Sequence, residues 1–206
     1  MRRHIVLILK DISSLISKEL CAKVAKCITN ALLISHGIRR DTILSLYFLS
    51  DNIHVNIYGN RVRHIRPDEQ SLRGIIRKIY RASMRRGSFT KIHEGIFMER
   101  ETLLRRIKGY DVVTIHYHKG IDIEYWVDEL SKEYYFSSIM FIASVNDSLL
   151  EEVNKMFADA KIEYFRITFA SILGEAHQLI IVFHNYLDNM LRCSAKRLKN
   201  SKQTYK

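Results

Sequence analysis

The stretch DVVTIHYHKGIDIEYWVDELSKEYYFSSIMFIAS, residues 111–144, decides the fold class, because it places a helical pattern between two apolar strand patterns. The strands are predicted over 111–118 and 137–144, with the helix around 124–132. The alternation then continues to the end of the chain: helix 147–160, strand 162–168, helix 175–192. Such alternation predicts an α/β fold with a mostly parallel sheet and helices on both faces.

The N-terminal half starts with a predicted strand over 2–9 and a helix over 11–35, in which apolar residues recur at every fourth position. Asp11 or a following serine is the predicted cap of this helix, and Gly37 its predicted end. The remaining predicted elements of this half are a strand over 42–49, a hairpin of strands 53–58 and 61–65, a helix capped by Asp68, a short strand near 95–98 and a short helix over 101–108.

Length and charge bound the class of protein. The 206 residues suffice for one domain with a core, predicted over 1–192, followed by a basic, flexible tail over 193–206. The net charge of +11 favours a polyanionic partner, since each phosphate that Lys or Arg neutralises releases counterions. Charge alone leaves RNA, DNA and an anionic membrane open. No apolar run is long enough to span a bilayer, so we expect a soluble, cytoplasmic protein.

Several kinds of site lack their motif. The three cysteines include no C-x-x-C pair, which argues against a zinc site or a disulfide framework. His116 and His118 point to the same side of a predicted strand, but no third ligand accompanies them, and we expect no metal. The sequence also contains no G-x-G-x-x-G, P-loop or G-x-S-x-G motif.

Ligands of parallel sheets bind at the carboxyl ends of the strands. Three predicted loops lie there: HYHKGID (116–122), ASVND (143–147) and TFASILGEAHQ (168–178). They are the candidate ligand-binding segments.

Four further segments carry a resemblance. They are SHGIRRD (35–41), Pro67-Asp68-Glu69 at a helix start, HEGIF (93–97) and LIIVFHNYLD (179–188). In this order they resemble archaeal tRNA pseudouridine N1-methyltransferases, a branch of the SPOUT superfamily. The resemblance extends over nearly the whole chain, and it implies a trefoil-knotted C-terminal half, a homodimer, S-adenosylmethionine as methyl donor, and N1 methylation of a pseudouridine in the T-loop of tRNA.

The resemblance also implies site residues. The cofactor-binding set is Ile115, His116, Ala143, Thr168, Phe169, Ala170, Ser171, Ile172, Leu173 and Leu179. The RNA-binding set is His36, Arg39, Arg40, Arg73 and Arg77, of which Arg73 and Arg77 belong to a strongly basic predicted helix. The catalytic set is Arg39, Arg40, Asp41 and Asp68: an arginine stabilises the negative charge that develops when N1 loses its proton, or holds a phosphate, while a carboxylate orients the arginine or accepts the proton.

Alternatives remain at this stage. Where the family has Gly-Asp-His in its second loop, this chain has Ala143-Ser144-Val145, and glycine is the residue that lets backbone approach a ligand closely. A catalytically inactive RNA-binding dimer is therefore one alternative, and an rRNA pseudouridine N1-methyltransferase is another. A purely structural role is also open for the charged residues at 39–41: an Arg–Asp ion pair that fixes a loop.

Overall fold

A mixed sheet of eight strands forms the centre of the computed structural model. The structure describes residues 1–35, 37–85, 87–133, 136–169 and 174–203, and of residues 133 and 193–203 it describes the backbone only. The strands, two of which form a separate small ladder, are β1 Arg2–Leu9, β2 Leu33–Ile34, β3 Gly37–Ile38, β4 Thr42–Phe48, β5 Ile53–Tyr58, β6 Phe89–His93, β7 Ile96–Arg100, β8 Val112–Asp122, β9 Ser138–Ser144 and β10 Phe165–Thr168. The helices are α1 Lys18–Leu32, α2 Glu69–Ser83, α3 Leu103–Ile107, α4 Ile123–Glu133, α5 Asp147–Asp159 and α6 Ala176–Gln203.

The order of the large sheet is β10-β8-β9-β1-β4-β5-β7-β6. The first five strands in this order pair in parallel, and β5, β7 and β6 pair antiparallel. The strands next to the centre are buried on both faces. In β1, for example, Ile5 and Leu7 pack toward one apolar cluster and Val6 and Ile8 toward the other. Helices α1, α2, α4 and α6 cover the first face, and α3 and α5 cover part of the second, which confirms the predicted α/β architecture.

The predicted first helix is split. Asp11 caps a 3₁₀-helix over Ile12–Ile16, and Ser17 then caps α1. The prediction that Gly37 ends this helix is wrong: α1 ends at Leu32, and Gly37 pairs with Ile34 in the β2–β3 ladder. The helix ends before Gly37 because residues 33–34 and 37–38 pair with each other as strands. The residues between Leu32 and β4 therefore do not extend the apolar face of α1.

The hairpin predicted between 53–58 and 61–65 is also wrong. Strand β5 already has β4 on one side and β7 on the other, so no edge is left for residues 61–65. Its hairpin partner is β4, joined through a turn in which Asn52 has a φ of 51°. Strand β6, the outer strand of the β6–β7 hairpin, was not predicted, because its sequence lacks a regular apolar alternation.

Two C-terminal elements are longer than predicted. Strand β8 continues to Asp122, so the segment 116–122 is not a loop. Helix α6 continues to Gln203, so its predicted end at Arg192 is wrong, and the start of the basic segment 193–206 is helical. No helix in the described ranges is both long and apolar enough to cross a membrane.

Candidate active site

A cavity of about 930 Å³ opens at the carboxyl ends of β8, β9 and β10, where the N-termini of α5 and α6 also point. Its lining comes from six elements and the segments next to them: Lys23, Cys27, His116, His118, Ser144, Val145, Asn146, Asp147, Thr168, Phe169, Gly174, Glu175, Ala176, His177 and Leu179. This is the place where ligands of parallel sheets bind, and all three predicted segments contribute to it.

Four of the ten predicted cofactor-binding residues line this cavity. His116, Thr168, Phe169 and Leu179 line it, one or more from each side. Ile115 and Ala143 are fully buried in their strands, directly before His116 and Ser144, so their side chains support the cavity floor rather than face it. The predicted residues 170–173 lie outside the described part of the chain.

A bulge in β8 shapes one wall. Arg166 of β10 pairs with Ile115, but the next residue, Ile167, pairs with Ile121, so that residues 116–120 of β8 arch out of the ladder. Gly120 closes this arch against the neighbouring backbone: a Cβ on it would lie 2.6 Å from the carbonyl oxygen of Arg166. Only glycine permits this approach without a backbone shift. The arch presents His116 and His118 to the cavity.

His116 is a half-buried titratable side chain of that arch. Its ring lies 5.6 Å from the ring of Phe169, centroid to centroid, and its Nδ1 has no hydrogen-bond partner among the described residues. Burial lowers its pKa, an effect that Asp147 partly opposes. A neutral imidazole with a free ring nitrogen can form a hydrogen bond with a ligand.

Hydrogen bonds hold the second loop, residues 143–147, in place. Ser144 Oγ donates to the carbonyl of Ile8 at 2.9 Å and accepts from the backbone N–H of Asn146 at 3.1 Å. Asn146 in turn caps α5 through the N–H of Ser148. Internal hydrogen bonds thus hold the loop to the wall and leave the cavity open.

At the start of α6, Glu175 and His177 form a pair with 3.2 Å between Oε2 and Nδ1. Burial lowers the pKa of His177, and the Glu175 carboxylate opposes this shift. On the opposite wall, burial raises the pKa of Cys27 to about 12, so this side chain stays a thiol. The cavity therefore carries the exposed carboxylates of Asp147 and Glu175, the half-buried cation Lys23, and a neutral thiol.

Two of the predicted catalytic residues, Arg39 and Asp41, belong to an ion-pair cluster beside α6. Arg39 donates to Asp188 from Nη2 at 3.0 Å, and Arg3 donates to the same carboxylate at 2.5 Å. Arg3 Nε also lies 3.2 Å from Oδ2 of Asp41. The Arg3 side chain is only 3% exposed and that of Asp41 is 42% exposed, so this cluster extends from the interior of the protein to its surface. We call these four residues, with His184, the arginine cluster.

His184 is the buried, neutral member of that cluster. Its Nδ1 accepts a hydrogen bond from Arg3 Nη1 at 3.2 Å, which requires the neutral ring. Burial and the charges of Arg39 and Arg3 lower its pKa to about 3. Burial raises the pKa of Asp188, but the hydrogen bonds from Arg39 and Arg3 outweigh this, so the net shift is downward. Asp188 is thus a carboxylate clamped by two arginines.

Sequence reasoning missed Arg3, His184 and Asp188 as members of this site. Phe183 and Leu187 are buried as expected, but the neighbouring positions 184 and 188 lie four apart on one face of α6 and meet β1. The four-residue spacing of a histidine and an aspartate in HNYLD is the signal that identifies this face. Arg3 carried no signal, since it is an arginine at the start of an apolar strand.

The other predicted residues lie apart from the cluster. Arg40 is exposed, and Asp68 accepts from the N–H of Ser71 at 2.8 Å and caps α2. Arg73 pairs with Glu69 at 2.7 Å and lines, with Arg77, a groove of about 250 Å³ between α2 and the 3₁₀-helix. His36 lies outside the described residues. Among the residues that are described, no group of three His, Cys, Asp or Glu side chains can hold a metal ion.

The sequence matches a known family over most of its length. The family model described as "Putative SAM-dependent RNA methyltransferase" matches residues 20–191, a range that contains every cavity residue as well as Arg39 and Asp188. The match ends near the point where the basic C-terminal segment begins.

Individual relatives agree with this match. The chain is 29% identical over 174 residues to the tRNA (pseudouridine(54)-N(1))-methyltransferase of Methanopyrus kandleri, an alignment that covers 80% of this chain and 77% of that protein. It is 28% identical over 168 residues to the protein of the same name from Haloferax volcanii, covering 79% and 80%. Among solved structures, Archaeoglobus fulgidus Nep1 bound to S-adenosylhomocysteine superposes with a TM-score of 0.61 at 12% identity, covering 93% of this chain and 100% of that one. This last similarity is one of fold.

Proposed function

The chain belongs to the family of SAM-dependent RNA methyltransferases, and on that premise we propose that it methylates N1 of a pseudouridine in the T-loop of tRNA, with S-adenosylmethionine as donor. The family match confirms the resemblance that the sequence motifs carried. The observation that supports the proposal is the cavity at the ends of β8, β9 and β10, because it combines the predicted cofactor residues with room for a cofactor of this size.

The cavity residues fit S-adenosylmethionine chemically. The N-termini of α5 and α6 favour a carboxylate, and the methionine part of the cofactor has one. Asp147 and Glu175 suit its ammonium group or its ribose hydroxyls, and Phe169 and Leu179 give an apolar wall for a planar base. His116 Nδ1 provides an unused polar atom inside. Bound there, the cofactor supplies an electrophilic methyl group on a sulfonium.

The arginine cluster supplies the charge that the reaction needs on the RNA side. Removing the N1 proton leaves a negative charge on the base, which a guanidinium can stabilise or orient. Two hydrogen bonds to Asp188 fix the guanidinium of Arg39, although an arginine side chain is flexible by itself. Arg40, the exposed neighbour, is free to reach a phosphate. These assignments of Arg39 and Arg40, and that of His36, Arg73 and Arg77 to RNA binding, are part of the proposal.

The proton acceptor is proposed to be a carboxylate near this cluster. Asp41 has a side chain that is 42% exposed while its Oδ2 lies beside Arg3, so it faces both the solvent and the cluster. Asp68, the other predicted carboxylate, uses one oxygen to accept the hydrogen bond that caps α2. Asp41→Asn and Asp68→Asn distinguish them, since asparagine preserves the hydrogen-bond geometry but cannot take the proton.

Three further features belong to the proposal. We infer a homodimer, supported by the exposed apolar side chains of Ile181 (49%) and Leu191 (37%) along α6. A trefoil knot in the C-terminal half and a cytoplasmic location, the latter in keeping with a tRNA substrate, are the other two. Mass photometry checks the dimer directly.

Two experiments test the activity. The protein is incubated with labelled S-adenosylmethionine and with one of three RNAs: tRNA with pseudouridine at position 54, the same tRNA with uridine there, or a small-subunit rRNA hairpin that contains pseudouridine. The product nucleosides are then analysed. Label in N1-methylpseudouridine from the first tRNA alone supports the proposal, and label only in a small-subunit rRNA hairpin supports the rRNA alternative. Calorimetry with millimolar cofactor that gives no heat, alongside retained tRNA binding, identifies an inactive RNA-binding protein instead.

A further inference from the structure

The antiparallel half of the sheet carries a row of aromatic side chains on the face opposite to α1, α2 and α6. The rings of Tyr58 on β5 and Phe97 on β7 lie 5.9 Å apart, and that of Phe89 on β6 stacks on Phe97 at 5.4 Å. Phe89 is 58% exposed. The apolar residues that α3 and α5 cover on this side come from β1, β4, β8 and β9, so the described helices leave the row open.

Cations accompany this row. The guanidinium carbon of Arg61 lies 5.5 Å from the centre of the Tyr58 ring, and the exposed Lys91 pairs directly across from Phe97, which places both side chains on one face. Glu99, a carboxylate on the same face, pairs with Arg106, which it shares with Glu101, and Arg105 also pairs with Glu101. We call Tyr58, Arg61, Phe89, Lys91 and Phe97 the aromatic face.

A sheet surface with one exposed and two half-buried rings, beside cations that have no carboxylate partner among the described residues, has the chemistry that unpaired nucleobases require. A base can stack on a ring while a cation meets its phosphate. We propose that the aromatic face binds unpaired nucleotides of the RNA substrate, at a site separate from the cavity. This rests on the proposed function only in taking RNA as the partner. Strand β7 lies five strand spacings from β8, about 24 Å at the usual spacing, so one nucleotide cannot occupy both sites.

A second copy of the chain fits this face less well. In an isologous dimer the same patch meets itself across a twofold axis, which brings Arg61 and Lys91 toward their own counterparts. RNA carries the opposite charge along its whole backbone, and the net charge of +11 draws it to the protein. Charge complementarity therefore selects RNA over self-association.

Three variants test the site in the full-length protein. Phe89→Ala removes an exposed ring, Phe89→Tyr keeps it, and Tyr125→Ala removes an equally exposed ring (63%) from α4 on the other side of the sheet. Fluorescence anisotropy then measures the affinity for a labelled single-stranded oligouridylate and for tRNA. We expect Phe89→Ala to weaken oligouridylate binding about 10-fold, the loss typical for one stacked base, with Phe89→Tyr and Tyr125→Ala within about twofold of wild type.

The salt dependence separates stacking from charge. Phe89→Ala should leave the slope of log Kd against log salt unchanged, whereas Lys91→Ala should reduce it by about one unit. Unchanged oligouridylate binding by Phe89→Ala overturns the proposal. A shift of its sedimentation toward monomer without a loss of RNA affinity also overturns it and identifies the face as a protein interface.

Cofactor binding reports independently on the proposed function. Heat of S-adenosylmethionine binding should be the same in Phe89→Ala and wild type, since the cavity is remote from the aromatic face. If the wild-type protein binds no cofactor but Phe89→Ala still loses oligouridylate, the methyltransferase proposal fails and the site stands. If cofactor binding and methyl transfer are normal but the Phe89→Ala effect is missing, the site fails alone.

Discussion

Arg39 and Asp188, which are 149 residues apart in the chain, form a bidentate ion pair, with Nη2–Oδ2 at 3.0 Å and Nη1–Oδ1 at 3.4 Å. The pair joins the loop before β4 to the middle of α6. Arg3 shares the carboxylate, so Asp188 compensates two guanidinium groups, one of them almost fully buried. A structural role and a catalytic role for the charged residues at 39–41 are thus compatible, because an arginine fixed by an ion pair is also preorganised for a substrate.

Replacement of Asp188 should reveal both roles. Asp188→Asn leaves the buried Arg3 with Asp41 alone and takes from Arg39 its charge partner among the described residues, and we expect the free energy of unfolding to fall by about 3 kcal/mol. Methyl transfer to tRNA should fall by about 10- to 100-fold in kcat/KM, because Arg39 is no longer held in place. Adding Arg39→Ala to Asp188→Asn should then cost little more, since the two side chains act as a unit. Fully additive losses in this double-mutant cycle would contradict the coupling.

Filling the cavity should abolish cofactor binding without harming RNA binding. Val145→Trp places a large ring in the lining from a half-buried loop position. We expect the Kd for S-adenosylmethionine, measured by calorimetry, to rise at least 100-fold while tRNA affinity stays within about twofold. Ile121→Trp, at an exposed position outside the cavity, is the control. Unimpaired cofactor binding by Val145→Trp would place the cofactor elsewhere.

Two glycines should respond oppositely to alanine. Gly120→Ala forces a Cβ to within 2.6 Å of the Arg166 carbonyl and so disturbs the arch that holds His116. We expect its Tm to fall by several degrees and its affinity for S-adenosylmethionine to decrease. Gly74→Ala, on α2, meets no atom within 4 Å and should raise stability by up to about 1 kcal/mol, because alanine favours the helix. Thermal scans of both variants check the contrast; a neutral Gly120→Ala would show that the arch can shift freely.

We expect His54 to lower the stability of the folded protein. It is fully buried and stacks on Tyr47 at 4.3 Å, yet neither ring nitrogen has a hydrogen-bond partner among the described residues. His54→Phe preserves the stacking and removes the unpaired nitrogens, so we expect a gain of about 1 kcal/mol at pH 7.5 in urea denaturation. A loss of stability there would show that the ring nitrogens bind water or another unseen partner.

The same residue predicts a pH dependence. Burial lowers the pKa of His54 to about 3, and that of His184 likewise, from an ordinary value of 6.5. Between these values the unfolded chain binds protons that the folded one does not, so stability falls with decreasing pH by about 1.4 kcal/mol per unit for each histidine. His54→Phe should halve the joint slope of these two groups between pH 6 and 5. An unchanged slope would refute the assignment.

Local patterns in the sequence were sufficient for the elements whose apolar periodicity matches their burial. Strand β9 and helix α5 agree with prediction to within a residue, and Asp68 caps α2 as its position before Glu69 indicated. The cavity was also foreseeable, because parallel strands bring their carboxyl ends together whatever the details of the loops.

Long-range pairing, in contrast, left no local trace. Nothing in residues 61–65 shows that β7 already occupies the edge of β5, and nothing in 116–122 shows that β10 extends β8 beyond an arch. These outcomes depend on which strand edges are free after the sheet has assembled, a property of the whole fold.

The sequence by itself determined the α/β class, the family, and the residue types at the cavity and at positions 39–41, since these follow from periodicity and from motifs that are contiguous in the chain. Only the tertiary structure decided that Arg39 and Arg3 share the carboxylate of Asp188, and that three aromatic rings from separate strands form one face. The physical reason is that ion pairs and ring stacks act over a few ångströms in space. Residues far apart in the chain reach that distance only when the fold is complete.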